Sequence, residues 1–335
     1  MITIKSIAKH FDITPSAVSK ALNGLPGVSD RLRRQIADYA AENNYIPNAY
    51  AKGLKGSAMK VFGVIISDNT NPSFSLIIKG IEKETEKHGY NIILCNSNED
   101  WRQEEKQLRM LIQKRVDGMM IVPSAGRGEE AMRRFDILRQ SAIPYVFISR
   151  SVDCFDCDTV MTDNVHGAGM AAEYLVKRGH NRVLHITTSR DISSASERVY
   201  GFTMAMRKAG RKISDADIHY VDDIDWDKCE EDLWRIISEN RDATAVFVFN
   251  DILAFHLIRV LVTHGVRVPD DIAVIGFDNN TFGEMSMVPL TTVPQESEYL
   301  GSTAVELLLE RIQHGRKEPV HKVIVPGGVV KRGSA

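Results

Sequence analysis

The chain alternates short apolar runs with amphipathic stretches of about 15 residues over most of its length, from residue 61 onward. The first series of runs is VFGVII, YNIILC, DGMMIV and PYVFI, and a second series is RVLHIT, IHYV, TAVFVF and DIAVIGF. Nearly continuous apolar strands separated by amphipathic helices are typical of parallel sheets that helices cover on both faces. Two such series predict two lobes, each built on a doubly wound α/β sheet.

Polar side chains follow several of these runs where the predicted strands end. They are Asp68, Asn69 and Asn71 with the nearby Phe74, then Arg198, Asn250, Asp251, Asp278, Asn279 and Asn280. Ligands of open α/β sheets bind outside the carboxyl ends of the strands, so we expect a cleft there between the lobes. Such groups hold hydroxyl-rich molecules by paired hydrogen bonds, and Trp226, expected on a loop, offers an aromatic face to a sugar ring. Two of these strand-end residues have a simpler interpretation: Asp251 could cap a helix, and Arg198 could pair with Glu197.

The first 45 residues show a different pattern, that of three short amphipathic helices. We expect the first within TIKSIAKHF, the second over Pro15–Leu22 and the third over about Asp30–Asn43. Two short helices joined by a tight turn and braced by a third form the helix-turn-helix plan, whose second helix enters the DNA major groove. Ser16 and Lys20 lie one helical turn apart and can both reach a base edge. A three-helix bundle without a DNA role is the alternative.

The charge is distributed unevenly along the chain. Residues 1–58 contain eight basic and four acidic residues, a net charge of +4, which leaves −6 for the remaining 277 residues of a chain whose total is −2. A basic small unit on an acidic large one indicates that only the first part meets a polyanion.

The sequence argues against a membrane or secreted protein. No run approaches the roughly 18 apolar residues that a membrane helix needs. The N-terminus lacks the charged and apolar segments of a secretory signal, so we expect a cytoplasmic protein. Cys154 and Cys157 form a single C-x-x-C, while Cys95 and Cys229 lie far away, which favours reduced thiols over a zinc site.

Two motifs suggest enzymes and are better explained by chance. Gly167-x-Gly169-x-x-Ala172 matches a dinucleotide fingerprint, but no strand leads directly into it. Ser6-x-x-Lys9 matches an acyl-transfer motif, but it lies in the first predicted helix without a partner motif. We therefore expect no enzymatic activity, no cofactor and no metal.

The N-terminal segment contains TIKSIAKHFDITPSAVSKALNG, followed by VSDRLRRQIADYAAENNYIPNAYAKGLK. In order and spacing, these motifs closely resemble the DNA-binding domain of the lactose-repressor/galactose-repressor (LacI/GalR) family. This resemblance implies that Pro15, Ser16 and Lys20 contact bases. It also implies phosphate contacts from Thr3, Thr14, Ser19, Asn23 and Ser29. Asn48–Lys55 would form a hinge helix that folds on DNA, with Leu54 as an apolar wedge in the minor groove.

The rest of the chain also resembles this family, whose regulatory domain looks like a periplasmic sugar-binding protein. The motifs include GVIISDNTNPSF, ERVYGF, FNDILAF and RVPDDIAVIGFDN. The resemblance implies that the effector-binding residues are Asp68, Asn71, Phe74, Arg150, Arg198, Trp226, Asn250, Asp278 and Gln295. The chain departs from the family at Ser149, where many members have an aspartate. It also lacks the leucine-heptad tail of the tetrameric members, so we expect a homodimer.

These observations predict a headpiece over 1–46, a hinge and linker over 47–59, and an effector-binding and dimerisation domain over 60–335. The first lobe is expected to comprise about 60–162 and 293–320, and the second about 163–292 and 321–335. The function we expect is that of a repressor that binds double-stranded operator DNA under the control of a small effector, a sugar or sugar derivative. A sugar-binding receptor without a DNA role is the alternative, and an enzyme on the same two-lobe fold is a further one. The sequence leaves open whether the effector releases the DNA or promotes binding.

Overall fold

The computed structural model describes residues 2–45, 59–126, 128–153, 155–222, 226–315 and 319–335. The chain divides into two compact units, Met1–Met59 and Lys60–Ala335. The predicted hinge helix, with Asn48 and Leu54, lies outside the described residues. None of the helices in the described ranges is long and apolar enough to cross a membrane.

Within residues 2–45, the described part of the small unit forms three helices, α1 (Ile4–His10), α2 (Pro15–Leu22) and α3 (Asp30–Glu42). Each begins after a hydroxyl side chain that accepts a hydrogen bond from a backbone N–H of the first turn, as an N-cap does. These caps are Thr3, Thr14 and Ser29. The helices share one apolar core, formed by Ile7, Ala8, Val18, Ala21, Ile36 and Ala40. The predicted three-helix arrangement is therefore confirmed.

The large unit contains two parallel sheets. The first has the strand order β11-β5-β4-β3-β1-β2 and the second β10-β9-β8-β6-β7. The strands are β1 Val61–Ile66, β2 Asn91–Asn96, β3 Gly118–Ile121, β4 Tyr145–Ile148, β5 Thr159–Thr162, β6 Val183–Thr187, β7 Ile218–Tyr220, β8 Ala245–Val248, β9 Ala273–Asp278, β10 Thr291–Pro294 and β11 Lys322–Val325. The doubly wound α/β fold class is confirmed.

Helices lie between the strands and cover both faces of each sheet. They are α4 Pro72–Lys87, α5 Trp101–Gln113, α6 Gly128–Arg134, α7 Asp136–Gln140, α8 Asn164–Lys177, α9 Ser193–Lys208, α10 Trp226–Glu239, α11 Asp251–Thr263 and α12 Ser297–His314, with 3₁₀ turns at Asp215–Asp217 and Thr281–Glu284. Successive strand residues face opposite apolar clusters: Val64 and Ile65 lie in different clusters of the first lobe, as do Val246 and Phe247 in the second.

The boundaries of the two lobes differ from the expectation near the C-terminus. We expected residues 321–335 in the second lobe, but β11 pairs with β5 in the first sheet. Conversely, β10 pairs with β9, so residues 293 and 294 belong to the second sheet. The last residues return to the second lobe, where Val330 forms a bridge with Thr292. The described chain therefore crosses between the lobes three times, after β5, after β10 and after β11.

Candidate functional site: the interlobe cavity and the second helix

A cavity of about 270 Å³ lies at the carboxyl ends of the strands, between the two lobes. It is lined by every residue that the family resemblance implied for effector binding: Asp68, Asn71, Phe74, Arg150, Arg198, Trp226, Asn250, Asp278 and Gln295. The other polar residues expected at the strand ends do not line it: Asn69, Asp251, Asn279 and Asn280. The lobes thus bring together side chains that are up to 227 positions apart in sequence, from 68 to 295. Their arrangement follows from where each strand ends.

Asp68 and Asn71 shape the loop that follows β1. The Asp68 carboxylate accepts hydrogen bonds from the Thr70 amide at 2.8 Å and the Thr70 hydroxyl at 2.7 Å. The Asn71 side chain accepts from the Ser73 amide at 2.9 Å and caps α4. Local hydrogen bonds of this kind are what Asx residues favour in turns, and here they fix two polar groups at the cavity wall.

Arg150 is held by an acid that the sequence did not nominate. Its guanidinium contacts both carboxylate oxygens of Glu99, at 2.8 and 2.9 Å, and donates to the Pro123 carbonyl at 3.1 Å. Burial raises the pKa of Glu99, but the charge and hydrogen bonds of Arg150 outweigh it, so the net pKa lies below its ordinary value. Glu99 is therefore ionised and compensates the charge of Arg150 at neutral pH.

Arg198 is almost fully buried, with a 2 % exposed side chain. Its Nε donates to the Asn164 side chain at 2.9 Å and its Nη1 to the Phe249 carbonyl at 2.5 Å. Glu197, the partner considered from the sequence, instead accepts from Asn164. The acid nearest to Arg198 is Asp278, at 4.0 Å. Burial lowers the pKa of Arg198 to about 10, so the guanidinium stays charged at neutral pH.

Asp278 ends β9 with a backbone φ of +130°, an unusual conformation for a residue with a side chain. Its carboxylate accepts a hydrogen bond from the Gln295 side chain. Burial raises the pKa of Asp278 to about 6, although Arg198 and Gln295 act in the opposite direction. The carboxylate is thus predominantly ionised above neutral pH.

The second lobe differs from expectation at two positions. Asn250 caps α11 by accepting from the Leu253 amide at 2.8 Å, so Asp251 is not the cap that the simpler interpretation made it. Trp226 begins α10 rather than lying on a loop. Its ring stacks on that of His256, with centroids 3.9 Å apart. The stack orients the indole at the cavity wall.

Comparison with known proteins decides the family. A model of the periplasmic binding protein-like domain matches residues 172–335. The HTH-type transcriptional repressor PurR of Vibrio atlanticus (strain LGP32) is 32% identical over 335 residues, covering 99% of each chain. The chain belongs to the LacI/GalR family. Like its relatives in that family, it is a DNA-binding transcriptional repressor.

Solved structures agree with the LacI/GalR assignment. A LacI family transcriptional regulator from Enterococcus faecium, with bound ribose, is 30% identical, with a TM-score of 0.69 and coverage of 82% of this chain and 98% of that one. The lac repressor dimer bound to operator and an anti-inducer has a TM-score of 0.87 over 99% and 98% of the two chains. At 23% identity, this second likeness supports the fold alone.

The LacI/GalR headpiece exposes the residues nominated for base contacts. Pro15, Ser16 and Lys20 are exposed on α2. The residues nominated for phosphate contacts include the three helix caps, Thr3, Thr14 and Ser29, and the pair Ser19 and Asn23, in which the Asn23 amide donates to the Ser19 carbonyl at 2.7 Å. The caps are exposed, so these side chains have a structural role and remain on the surface.

Further residues line the cavity that the sequence analysis did not nominate. They are Thr70, Ser73, Asn98, Glu99, Ile192, Ser194 and Phe249, together with Ser149, noted only as a departure from the family. Asn98 and Glu99 follow β2, so the strand-end rule could have found them. Ile192 and Ser194 lie at the start of α9, where no strand-end polar cluster marks them.

Proposed function

We propose that this LacI/GalR repressor is a homodimer controlled by a small, uncharged, hydroxyl-rich molecule, a sugar, bound in the interlobe cavity. The site residues Asp68, Asn71, Asn250 and Gln295 supply hydrogen-bonding groups suited to hydroxyls, while aromatic rings supply apolar faces. The ribose bound in the Enterococcus faecium regulator, which is 30% identical to this chain, supports the ligand class.

Charge compensation in the cavity is the observation that carries the ligand class. Both guanidinium groups in the cavity lining already have acidic neighbours, Arg150 bidentately with Glu99 and Arg198 with Asp278. Asp68 adds a further acid, so the lining residues sum to −1. A phosphate or carboxylate would have to displace an existing partner of an arginine and leave a buried acid unpaired, which is costly. A neutral sugar meets no such cost.

A thermal-shift panel of matched pairs tests the ligand class. We expect at least one of D-ribose, D-glucose and cellobiose to stabilise the protein, and the phosphates and acids of the same sugars to stabilise it less. A ligand at 100 times its Kd adds about 2.7 kcal/mol. Stronger stabilisation by ribose 5-phosphate or gluconate would contradict the proposal. Recovery of the unchanged sugar after incubation would support binding without turnover.

Specific DNA recognition by α2 is the second part of the proposal. Lys20 contacts bases, with Pro15 and Ser16, while the phosphate contacts fix the position of the helix. Lys20→Ala should lower the preference for operator over random DNA by about tenfold, since a good base contact is worth about 1–3 kcal/mol. Lys9→Ala removes the same charge from α1 and is the control.

A gel-shift titration at physiological salt separates these two variants. Equal loss of preference in both would contradict the assignment of Lys20.

Leu54→Ala, at the proposed hinge, should reduce bending of the operator. The proposed division into headpiece 1–46, hinge 47–59 and effector domain 60–335 underlies these tests. Because the target is operator DNA, we expect the repressor to act in the cytoplasm.

A further inference from the structure

Asp251 is a buried acid that the effector site described above does not use. It opens α11, directly after the cavity residue Asn250, and is 0% exposed. Its side chain is not among those that line the cavity. Burial and the nearby Asp278 raise the pKa of Asp251 well above its ordinary value. A carboxyl group in such surroundings depends on the hydrogen bonds it accepts.

The Asp251 carboxylate joins the ends of two neighbouring strands. Oδ2 accepts from the backbone N–H of Asn280 at 2.6 Å, just beyond β9. Oδ1 accepts from the Thr292 hydroxyl at 2.5 Å, within β10. The same Thr292 oxygen accepts from the backbone N–H of Asn279 at 3.3 Å. Asp251 and Thr292 therefore bind both amides that follow Asp278.

The strand beside Asp251 has a glycine where the carboxylate approaches. A Cβ atom placed on Gly276 would lie 2.3 Å from Asp251 Oδ1, which is closer than atoms can pack. Gly276 pairs with Thr292 in the register of β9 and β10. Because Gly276 has no side chain, the Asp251 carboxylate can pass close to β9 and reach the Thr292 hydroxyl on β10.

The segment held in this way has an unfavourable backbone conformation. Asp278 has a φ of +130° and Asn279 a φ of +59°. Such conformations persist only where surrounding contacts hold them. Arg332 adds one contact, donating to the Asn279 side chain at 2.8 Å. The conformation matters because it directs the Asp278 carboxylate to the cavity, where it accepts from Gln295 and neighbours Arg198.

We propose that Asp251 is a positioning residue for effector binding. With Thr292, it holds the turn Asp278–Asn280 so that the Asp278 carboxylate stays at the cavity wall. The claim rests on the proposed function, because it concerns the affinity for the same uncharged sugar. Asp251 itself contacts no effector.

Hydrogen exchange followed by mass spectrometry tests the proposal without a ligand. Asp251→Asn turns one acceptor into a donor, and Thr292→Val removes the hydroxyl, while Thr292→Ser retains it. We expect exchange of the amides of Asn279 and Asn280 to rise by about tenfold in the first two variants, since Asp251→Asn loses the acceptor of the Thr292 hydroxyl and Thr292→Val leaves the half-buried Asn279 amide without its acceptor. Thr292→Ser should restore the wild-type rate.

Calorimetric titration with D-ribose, D-glucose and cellobiose completes the test. Asp251→Asn and Thr292→Val should bind the sugar that wild type binds about tenfold more weakly. The control is Asp158→Asn, another buried acid, which pairs with Arg311 in the first lobe; it should lower stability but not sugar affinity. Unchanged exchange in both variants, or faster exchange with unchanged affinity, would overturn the proposal. Failure of wild type to bind any of the three sugars contradicts the proposed function, whereas the exchange result still decides whether Asp251 holds the turn.

Discussion

The ion pair of Arg150 with Glu99 gives the cavity its selectivity against acidic sugars in our proposal. Glu99→Gln keeps the shape of the side chain but leaves the Arg150 charge uncompensated at the cavity wall. We expect the ratio of affinities for ribose 5-phosphate and ribose to rise by about tenfold, or about 1.4 kcal/mol. Calorimetric titration of both compounds measures this ratio. Glu105→Gln, which breaks a surface pair with Arg109, should leave it unchanged.

His185 makes stability depend on pH. The ring is fully buried, its Nδ1 donates to the Phe247 carbonyl at 3.0 Å, and Arg198 is its charged neighbour. Burial lowers the pKa of His185 to about 4, so the folded protein excludes a proton that the unfolded chain accepts below pH 6.5. The stability from this group is therefore present above pH 6.5 and is lost as pH falls towards 4.

Chemical denaturation at two pH values checks the His185 contribution. Between pH 7.5 and pH 5 the free energy of unfolding should fall by about 2 kcal/mol more in wild type than in His185→Gln. The variant also loses packing against Phe247, but that loss is common to both pH values and cancels in the comparison. Equal pH dependence of the two proteins would rule out a buried neutral imidazole.

Individual site residues could be found from the sequence where a strand end marks them. Asp68, Asn250 and Asp278 each follow an apolar run, and parallel strands end at the same edge of a sheet. The role of Asp251 could not be found, because it depends on Thr292, which is 41 positions away, and on a close approach to Gly276. Periodicity carries no information on contacts of this kind.

At the scale of elements, helix α12 packs on α4 through glycine. A Cβ atom on Gly301 would lie 2.1 Å from the carbonyl oxygen of Ile77. Gly301→Ala should therefore lower the free energy of unfolding by about 1–3 kcal/mol, the usual cost of overpacking. Gly169 in α8 is the matched control, since its nearest neighbours lie at 3.8 Å. Gly169→Ala should be neutral or stabilise by up to about 1 kcal/mol. Urea denaturation of both variants measures the contrast, and similar effects would contradict it.

Most elements were predictable because strand and helix periodicities are local properties. The second and third headpiece helices begin where they were expected, at Pro15 and Asp30. The exceptions are β11, which was expected in the wrong lobe, and β10, whose last two residues were. Both are short strands at sheet edges, and their sequences do not identify the neighbouring strand. Each of these strands can be assigned to a sheet only from where the chain crosses between the lobes.

At the scale of the whole molecule, our proposal divides DNA binding and effector binding between units of opposite charge. The basic headpiece suits a polyanion, while the acidic two-lobed unit encloses a cavity in which the charges largely cancel. In our proposal, the sugar affects DNA binding through the intervening segment, where the family resemblance predicts the hinge helix. A segment that folds only on DNA has a small free energy of folding. A small change in that free energy is therefore enough to shift the equilibrium between its folded and unfolded states.

The coupling between sugar and operator must be reciprocal. If the sugar changes the Kd for operator by some factor, the operator changes the Kd for the sugar by the same factor, within the usual range of about 5–150-fold. Calorimetric titration of the sugar with and without operator duplex, paired with gel shifts with and without sugar, measures both factors. Leu54→Ala should bring both close to one while leaving sugar affinity in the absence of DNA unchanged, because the proposed hinge lies apart from the cavity residues in the sequence. Factors of one in the wild-type protein would mean that sugar and DNA bind independently, and the proposed control of repression would be wrong.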